Sequence, residues 1–144
     1  MPAEPRFPAP DPREIDPRAV RRAFGRAAAT YDGAAVLQRE VSARLAGRLD
    51  VVKLAPGTIL DAGCGTGEAI GELSARYPSA RVVALDAALP MLQLARTRSA
   101  HGRSLPARLL GPLGRGGAPM PAFVCAAGTA LPLPGVCVDL VWSN

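Results

Sequence analysis

The chain has 144 residues, of which 49% are hydrophobic and 20% are charged, proportions that are ordinary for a globular domain with its own hydrophobic core. Its formal net charge is +5 and comes almost wholly from arginine, since Lys53 is the only lysine. A basic chain can attract an acidic partner, but aromatic residues are few and no nucleic-acid motif is present, so we expect no nucleic-acid binding.

Several other classes of protein are excluded by simple counts. No run of about 18 apolar residues occurs, so we expect no membrane span. The N-terminus lacks the apolar stretch of a secretory signal and carries acidic residues, which predicts a cytoplasmic protein. The few, widely spaced cysteines and the single histidine are too sparse for a metal site, a disulfide framework or a histidine-centred catalytic triad. These residues are Cys64, Cys125, Cys137 and His101.

The N-terminal third is expected to be helical after a short tail. Residues 1–15 contain five prolines and predict a disordered segment. Asp16 and Pro17 then form an N-cap followed by proline at the first helical position, which predicts a helix to about Thr30 that Gly33 terminates. Its apolar face would carry Val20, Phe24 and Ala27 or Ala28.

A second helix is predicted to run to about Leu49, because apolar residues recur at every fourth position. We expect residues 16–50 to form a helical lid or cap over the following domain. The first of these helices also carries a stripe of basic residues, which is either an ordinary solvated face or a surface that steers an acidic partner. The apolar repeat is Leu37, Val41, Leu45 and Leu49, and the basic stripe is Arg18, Arg22 and Arg26, with Arg21 beside it.

Residues 51–144 show alternating strand and helix patterns, which predict a parallel α/β sheet with flanking helices. Residues 99–121 interrupt this alternation with five glycines, four prolines and no acid, and we expect them to form a long flexible loop. The predicted strands are 58–61, 81–85, 122–126 and 136–142, and the predicted helices are 68–76 and 90–98.

A glycine cluster follows the first predicted strand. Gly63, Gly65 and Gly67 alternate directly after Asp61, where the chain can turn sharply and approach a ligand without a Cβ in the way. The dinucleotide fingerprint places its third glycine one residue later, so a nicotinamide oxidoreductase is the least favoured interpretation. An acid at this position suits a ligand with an ammonium group better than a pyrophosphate.

Asp86 lies 19 residues after Gly67, at the end of the second predicted strand. A carboxylate there can accept hydrogen bonds from both hydroxyl groups of a ribose. A nucleoside with a cationic amino-acid tail satisfies both Asp61 and Asp86, and S-adenosyl-L-methionine is such a ligand. The alternative is a structural glycine turn with a solvated aspartate.

These segments resemble a known family. ILDAGCGTG at 59–67, ALD at 84–86 and ML at 91–92 are similar to the first two motifs of the class I S-adenosylmethionine-dependent methyltransferases. AFGRAAATY at 23–31 and LQR at 37–39 resemble the opening of the malonyl-acyl-carrier-protein O-methyltransferases of biotin synthesis, and LPL at 131–133 and VDLVWSN at 138–144 match their third and fourth strands. The resemblance implies a Rossmann-like fold, methylation of a free carboxylate, and malonyl-loaded acyl carrier protein as the substrate.

The resemblance also implies roles for individual residues. Asp61, Gly63, Gly65 and Gly67 would line the methionine side of the cofactor, and Asp86 would bind its ribose. Met91 would either pack on the adenine or belong to the core. The two residues implied to position the reacting groups are Tyr31, which would close over the cofactor, and Asn144, which would end the fourth strand beside the methyl group.

Two features depart from the family. Ala127 stands where these enzymes usually carry an acid that contacts the adenine amino group, and its loss is expected to weaken cofactor binding. The family's sheet has seven strands and only four are predicted here, so we expect a fold truncated after the fourth strand, without methyl-transfer activity of its own. A quinone-pathway methyltransferase and a non-catalytic cofactor-binding remnant therefore remain as alternatives. The sequence does not indicate the oligomeric state.

Overall fold

A computed structural model describes residues 15–101 and 119–144 of the chain. Residues 1–14 of the predicted tail and residues 102–118 of the predicted loop lie outside the described residues. The helices are α1 (Pro17–Ala27), α2 (Tyr31–Ala34), α3 (Val36–Arg48), α4 (Glu68–Arg76) and α5 (Leu89–His101), with a 3-10 turn at Leu49–Val51. The strands are β1 (Thr58–Ala62), β2 (Arg81–Asp86), β3 (Ala122–Cys125) and β4 (Leu140–Trp142).

The four strands form one parallel sheet in the order β3-β2-β1-β4. Strand β1 is central: Leu60 pairs with Val83 of β2 on one side and Val141 of β4 on the other. Because β1 and β2 are buried on both faces, they are almost continuously apolar, as expected for a parallel sheet. The predicted α/β architecture is confirmed.

The two faces of the sheet are covered differently. On one face Ile59, Val82 and Trp142 pack with residues of α4 and α5 such as Leu73 and Leu92. On the other face Leu60, Val83 and Leu85 contact side chains that follow β3, including Leu133 and Val138. Since successive residues of a strand point to opposite faces, Asp61 shares its face with Ile59 and therefore faces the helices.

Helix α1 begins as predicted, because the Asp16 carboxylate accepts a hydrogen bond from the Arg18 amide at 2.8 Å. The prediction that Gly33 terminates this helix is wrong: α1 ends at Ala27, and Gly33 lies inside α2. The chain turns at Thr30, whose amide donates to the Ala27 carbonyl at 2.9 Å and whose hydroxyl donates to the same oxygen at 3.3 Å. A threonine hydroxyl that competes for backbone groups is a common cause of such a break.

Helix α3 ends as predicted but presents a different face to the core. Leu37 is 70% exposed and Val41 is 38% exposed, whereas Ser42 and Ala46 are buried. Ser42 lines a cavity together with residues of the glycine turn after β1, and Ala46 belongs to the core cluster that contains Ile59 and Trp142. The predicted helix is present, and of its apolar repeat only Leu45 and Leu49 pack against the core.

Strand β4 is shorter than predicted and starts at Leu140 in place of residue 136. Val136 has a positive φ of 55°, a conformation that a β-branched residue rarely adopts and that interrupts an extended strand. The Asp139 carboxylate instead accepts hydrogen bonds from the amides of Gly57 and Thr58 at 2.9 and 2.8 Å, which ties this loop to the start of β1. Within the described part of the chain, no helix is long and apolar enough to cross a membrane.

Candidate functional site

A tight turn connects β1 to α4 at the carboxyl edge of the sheet. Gly63, Gly65 and Gly67 have φ values of 79°, 52° and 82°, in the left-handed region that glycine alone adopts readily. The amides of Gly63 and Cys64 both donate to the carbonyl of Leu85, at 2.8 and 2.9 Å, so the turn is fastened to the end of β2. The sequence therefore folds here into a rigid loop whose shape depends on glycine.

The three glycines are needed for two different reasons. A Cβ on Gly63 or Gly65 would meet nothing within 4 Å, which means that both face open space. A Cβ on Gly67 would lie 2.7 Å from the Cβ of Ala95 and 3.0 Å from Ile70 Cδ1. Gly67 therefore allows α4 to pack against α5, and its role beside a ligand stays a prediction.

Asp86 ends β2 and holds the same loop in place. One carboxylate oxygen accepts a hydrogen bond from the Gly65 amide at 2.9 Å, and the other accepts one from the Ala88 amide at 2.7 Å. A carboxylate oxygen can accept more than one bond, so each oxygen keeps capacity for a ligand hydroxyl. Asp86 is half-buried and lines a cavity, as its predicted role requires.

Asp61 lies two residues before Gly63 and is only 3% exposed. Its Oδ2 atom has no hydrogen-bond partner among the described residues. Burial, and then the nearby negative charge of Asp86, raise the pKa of Asp61 from its ordinary value of 3.8 to about 7. A buried acceptor without a donor costs free energy, so this carboxylate favours any ligand that brings a cation or a hydrogen-bond donor.

Two cavities meet over the glycine turn. The smaller one, of about 60 Å³, contains Asp61 in its wall, and the larger one, of about 710 Å³, contains Asp86 and Met91. A cavity of the larger size is typical of sites for small molecules and cofactors. Four residues belong to both walls and mark the junction of the two cavities: Tyr31, Gly63, Gly65 and Asn144.

Tyr31 and Asn144 both belong to this junction and are held by different contacts. The Tyr31 ring packs against Phe24, with centroids 6.1 Å apart and planes tilted by 57°. The Asn144 side-chain amide donates to the Gln38 carbonyl at 2.6 Å, and the neighbouring Ser143 hydroxyl donates to the Ala62 carbonyl at 3.0 Å. The end of β4 is thereby joined to both α3 and β1, and the two predicted positioning residues lie at the boundary between the cavities.

Met91 is 1% exposed and packs with Ala28 and Ala88, yet it also contributes to the wall of the large cavity. Both interpretations of this residue, core and ligand contact, are therefore compatible with its position. Ala127 lies in the same wall beside Gly128. Among the described residues that line the large cavity, Asp86 is the only acid, so nothing in this wall replaces the missing carboxylate at position 127.

Several lining residues were not predicted. Gln38, Ser42 and Glu68 line the small cavity, and Arg21 and Phe24 line the large one. The amphipathic pattern of α1 was a usable signal, because it places Phe24 on an apolar face. Val20 and Phe24 on this face line a cavity, whereas Ala28 is buried with Met91. Phe24 accordingly remains 44% exposed.

Cys64 is buried beside the same turn. Burial, followed by the charges of Asp61 and Asp86, raises the pKa of its thiol far above the ordinary value. The group therefore stays protonated at neutral pH and is a poor nucleophile. Within residues 15–101 and 119–144, no group of three or more potential metal ligands lies together.

Comparisons with known proteins agree with the predicted resemblance. A family described as a methyltransferase domain matches residues 59–111. The malonyl-[acyl-carrier protein] O-methyltransferases of Methylovorus sp. and Laribacter hongkongensis are 54% and 50% identical to the chain, over 90% of its length in both cases. The chain spans about 40% of the length of these relatives.

Solved structures show the same fold. A structure described as the complex between the Haloferax volcanii Trm112 methyltransferase activator and the "putative methyltransferase" is 26% identical and superposes with a TM-score of 0.58, over 83% of this chain and 46% of the other. A plantazolicin methyltransferase in complex with SAH is 18% identical, with a TM-score of 0.52, over 86% of this chain and 46% of the other. The predicted class I methyltransferase fold is therefore confirmed.

Proposed function

We propose that this chain belongs to an S-adenosylmethionine-dependent methyltransferase that esterifies the free carboxylate of malonyl-acyl-carrier protein, a step of biotin biosynthesis. Residues 58–101 and 119–144 would hold the cofactor, and the N-terminal helices would cover it. The proposal rests on the site described above and on relatives of that name that are 54% and 50% identical to this chain.

The observation that carries the proposal is the partnerless carboxylate oxygen of Asp61. It lies in the small cavity next to Gly63 and Gly65, above which there is open space. The ammonium group of S-adenosylmethionine would supply the missing donor and the missing positive charge together. The backbone at the two glycines would let the methionine chain approach closely.

Asp86 would bind the ribose. Its two oxygens are already held in place by the amides of Gly65 and Ala88, so the carboxylate is oriented before a ligand arrives. The large cavity beyond it would receive the adenine, with Met91 and Ala127 in the wall. A pyrophosphate beside the glycine turn would be repelled by Asp61, which argues against a nicotinamide dinucleotide.

S-adenosylmethionine held by Asp61, Asp86 and the glycine turn would supply an electrophilic methyl group for a carboxylate oxygen of the acceptor. A malonyl carboxylate is already ionised near neutral pH, so no side chain has to remove a proton. The work of this chain is then to align the acceptor with the methyl carbon and to exclude water. Tyr31 and Asn144, at the junction of the cavities, are the residues we assign to alignment.

The cofactor assignment is tested by calorimetric titration of the purified chain with S-adenosylmethionine, its demethylated product and NAD. We expect binding of the first two and none of NAD. The control is Asp139→Asn, a carboxylate change at the opposite edge of the sheet, which should leave cofactor binding intact. Binding of NAD without a response to either methionine nucleoside would contradict the proposal.

The identity of the methyl acceptor has to be tested by measuring enzymatic activity. We suggest a chimera in which residues 1–144 replace the matching N-terminal part of the Methylovorus sp. relative, assayed with malonyl-acyl-carrier protein. Methyl-ester formation supports the proposed reaction. A non-catalytic cofactor-binding role is the second candidate, favoured by Ala127, and a chimera that binds the cofactor without turnover would favour it.

A further inference from the structure

The walls of the two cavities together contain more acidic than basic side chains. Three acidic residues line them, namely Asp61, Glu68 and Asp86. Among the described lining residues of both cavities, Arg21 is the only cation. Glu68 is paired with Arg39 at 4.0 Å, so an anionic molecule that enters this space meets one attractive lining side chain, Arg21, and the two carboxyl groups of Asp61 and Asp86.

Arg21 differs from the other arginines of α1 in the direction that it faces. Pro17, Val20 and Phe24 line the large cavity together with Arg21, at the spacing of one helix face. The residues of the basic stripe, Arg18, Arg22 and Arg26, do not line it. Arg22 forms an ion pair with Asp16 at 3.6 Å, whereas Arg21 forms no ion pair within the described part of the chain.

Phe24 connects Arg21 to the junction of the two cavities, where we place the methyl transfer. Arg21 lies one helical turn before Phe24, whose ring packs against Tyr31, and Tyr31 belongs to the junction of the cavities. All three residues line the large cavity, and of them Tyr31 also lines the small one. Arg21 lines only the large cavity, so it is separate from the Asp61 side, where the amino-acid end of the cofactor would lie.

We infer that Arg21 binds the carboxylate of the methyl acceptor and selects for acceptors that carry one. The inference rests on the proposed function, since it assumes a carboxylate acceptor. Such a substrate has to approach a site whose other charges are negative, and an arginine fork can hold a carboxylate through two parallel hydrogen bonds. This contact neutralises the repulsion and leaves the second face of the carboxylate free to meet the methyl group.

The test compares two ligands that differ in one carboxylate. The chain is saturated with S-adenosylhomocysteine and titrated with malonyl-coenzyme A and with acetyl-coenzyme A. We expect the malonyl compound to bind about fivefold more tightly, the size of effect that an exposed but well-oriented ion pair provides. Arg21→Gln should reduce this ratio to about one, and Arg48→Gln, which removes the same charge from the exposed last turn of α3, should preserve it.

Three outcomes would overturn the inference. The first is an equal affinity for both ligands in the unaltered chain, and the second is a preference that survives Arg21→Gln. The third is a loss of S-adenosylhomocysteine affinity in Arg21→Gln as large as the loss of malonyl preference, because Arg21 would then bind the cofactor. A failure of the unaltered chain to bind S-adenosylhomocysteine would instead refute the proposed function itself, and the inference with it.

Discussion

The burial of Asp61 favours the proposed ligand but destabilises the folded protein when no ligand is bound. Its pKa is raised from 3.8 to about 7 in the folded chain, mainly by desolvation. Protonation therefore favours the folded state: the contribution of Asp61 is most favourable below pH 4 and is lost as the pH rises through 7. Above pH 7 the folded protein carries a buried negative charge without a donor.

We therefore predict that Asp61→Asn stabilises the ligand-free chain at pH 8 by up to about 3 kcal/mol, since an amide removes the buried charge. The same change should abolish detectable binding of S-adenosylmethionine. Urea denaturation at pH 8 and at pH 4 measures the first effect, which should disappear at the lower pH. A destabilised variant at pH 8 would show that Asp61 already has a partner in the folded protein.

Ligand affinity should depend on pH for the same reason. An ammonium group beside Asp61 lowers its pKa, so binding below pH 7 requires the release of a proton. We predict that the affinity for S-adenosylmethionine falls between pH 7 and pH 5.5 by up to about tenfold per pH unit. Calorimetry in buffers of different ionisation enthalpy measures the released proton, and an affinity that is constant over this range would contradict the prediction.

Ala127 provides a test of the opposite kind, in which a contact is added. If the wall beside Gly128 faces the adenine, Ala127→Asp should tighten cofactor binding by about 1–3 kcal/mol, because it adds an acceptor for an amino group. Thr129→Asp, in the same wall, is the matched control. An unchanged dissociation constant for Ala127→Asp would mean that the adenine lies elsewhere.

Among the elements, the β1–α4 connection joins the site to the core. Gly67 has a φ of 82°, and a Cβ there would overlap with Ala95 of α5. We predict that Gly67→Ala lowers the free energy of unfolding by about 2–3 kcal/mol, from the left-handed backbone and the displaced helix together. In the same helix, Gly71→Ala should be neutral or stabilising by up to about 1 kcal/mol, because a Cβ there meets nothing within 4 Å.

The Gly67→Ala variant also distinguishes a packing role of Gly67 from a direct contact between Gly67 and the ligand. If Gly67→Ala folds with unchanged stability and loses only cofactor affinity, the residue touches the ligand after all. Urea denaturation and cofactor titration of the two glycine variants therefore have to be measured side by side.

The strands, α4 and the glycine turn could be predicted from sequence because their signals are local. Apolar runs bounded by Pro56-Gly57 and Pro78 define β1 and α4, and the spacing of the glycines with Asp86 locates the site. The inward face of α3 could not be predicted in the same way. The burial of Ser42 and Ala46 depends on the residues that the fold brings against this helix, which is a tertiary property.

The residues of α1 that line the large cavity could not be predicted from the sequence either. Val20 and Phe24 have the spacing of a core-facing helix, and only the fold shows that they cover a cavity and remain 39% and 44% exposed. The roles of Tyr31 and Asn144 came from resemblance alone, and their meeting at one junction depends on β4 lying next to β1. Single-residue roles at the site stay predictions until the variants are measured.

At the scale of the whole molecule, part of the excess positive charge is concentrated on helix α1. Arg18, Arg22 and Arg26 are exposed on α1, and none of them lines the large cavity, which other residues of the same helix do line. For an acidic carrier protein such a surface would raise the association rate at low salt. For a small acceptor it would matter much less.

We predict that replacing these three arginines by glutamine raises the Michaelis constant for malonyl-acyl-carrier protein in the chimera, by severalfold at low salt and less at high salt. The constant for malonyl-coenzyme A should change little. A control with the exposed Arg44, Arg48 and Arg81 replaced removes an equal charge elsewhere. Equal increases of the two Michaelis constants would indicate that the helices covering the site are damaged. Unchanged constants for both substrates would show that the stripe is an ordinary solvated face.

The position of β4 beside β1 has a consequence for how the protein is made. The pairs Ile59–Leu140 and Asp61–Trp142 join residues that are 81 positions apart. Translation at about 5–20 residues per second leaves that side of β1 without its neighbour for roughly 4–16 s. During this interval the nascent polypeptide exposes an apolar strand edge to the crowded surroundings of the ribosome, and the junction with Asn144 is completed only when the last of these residues emerges.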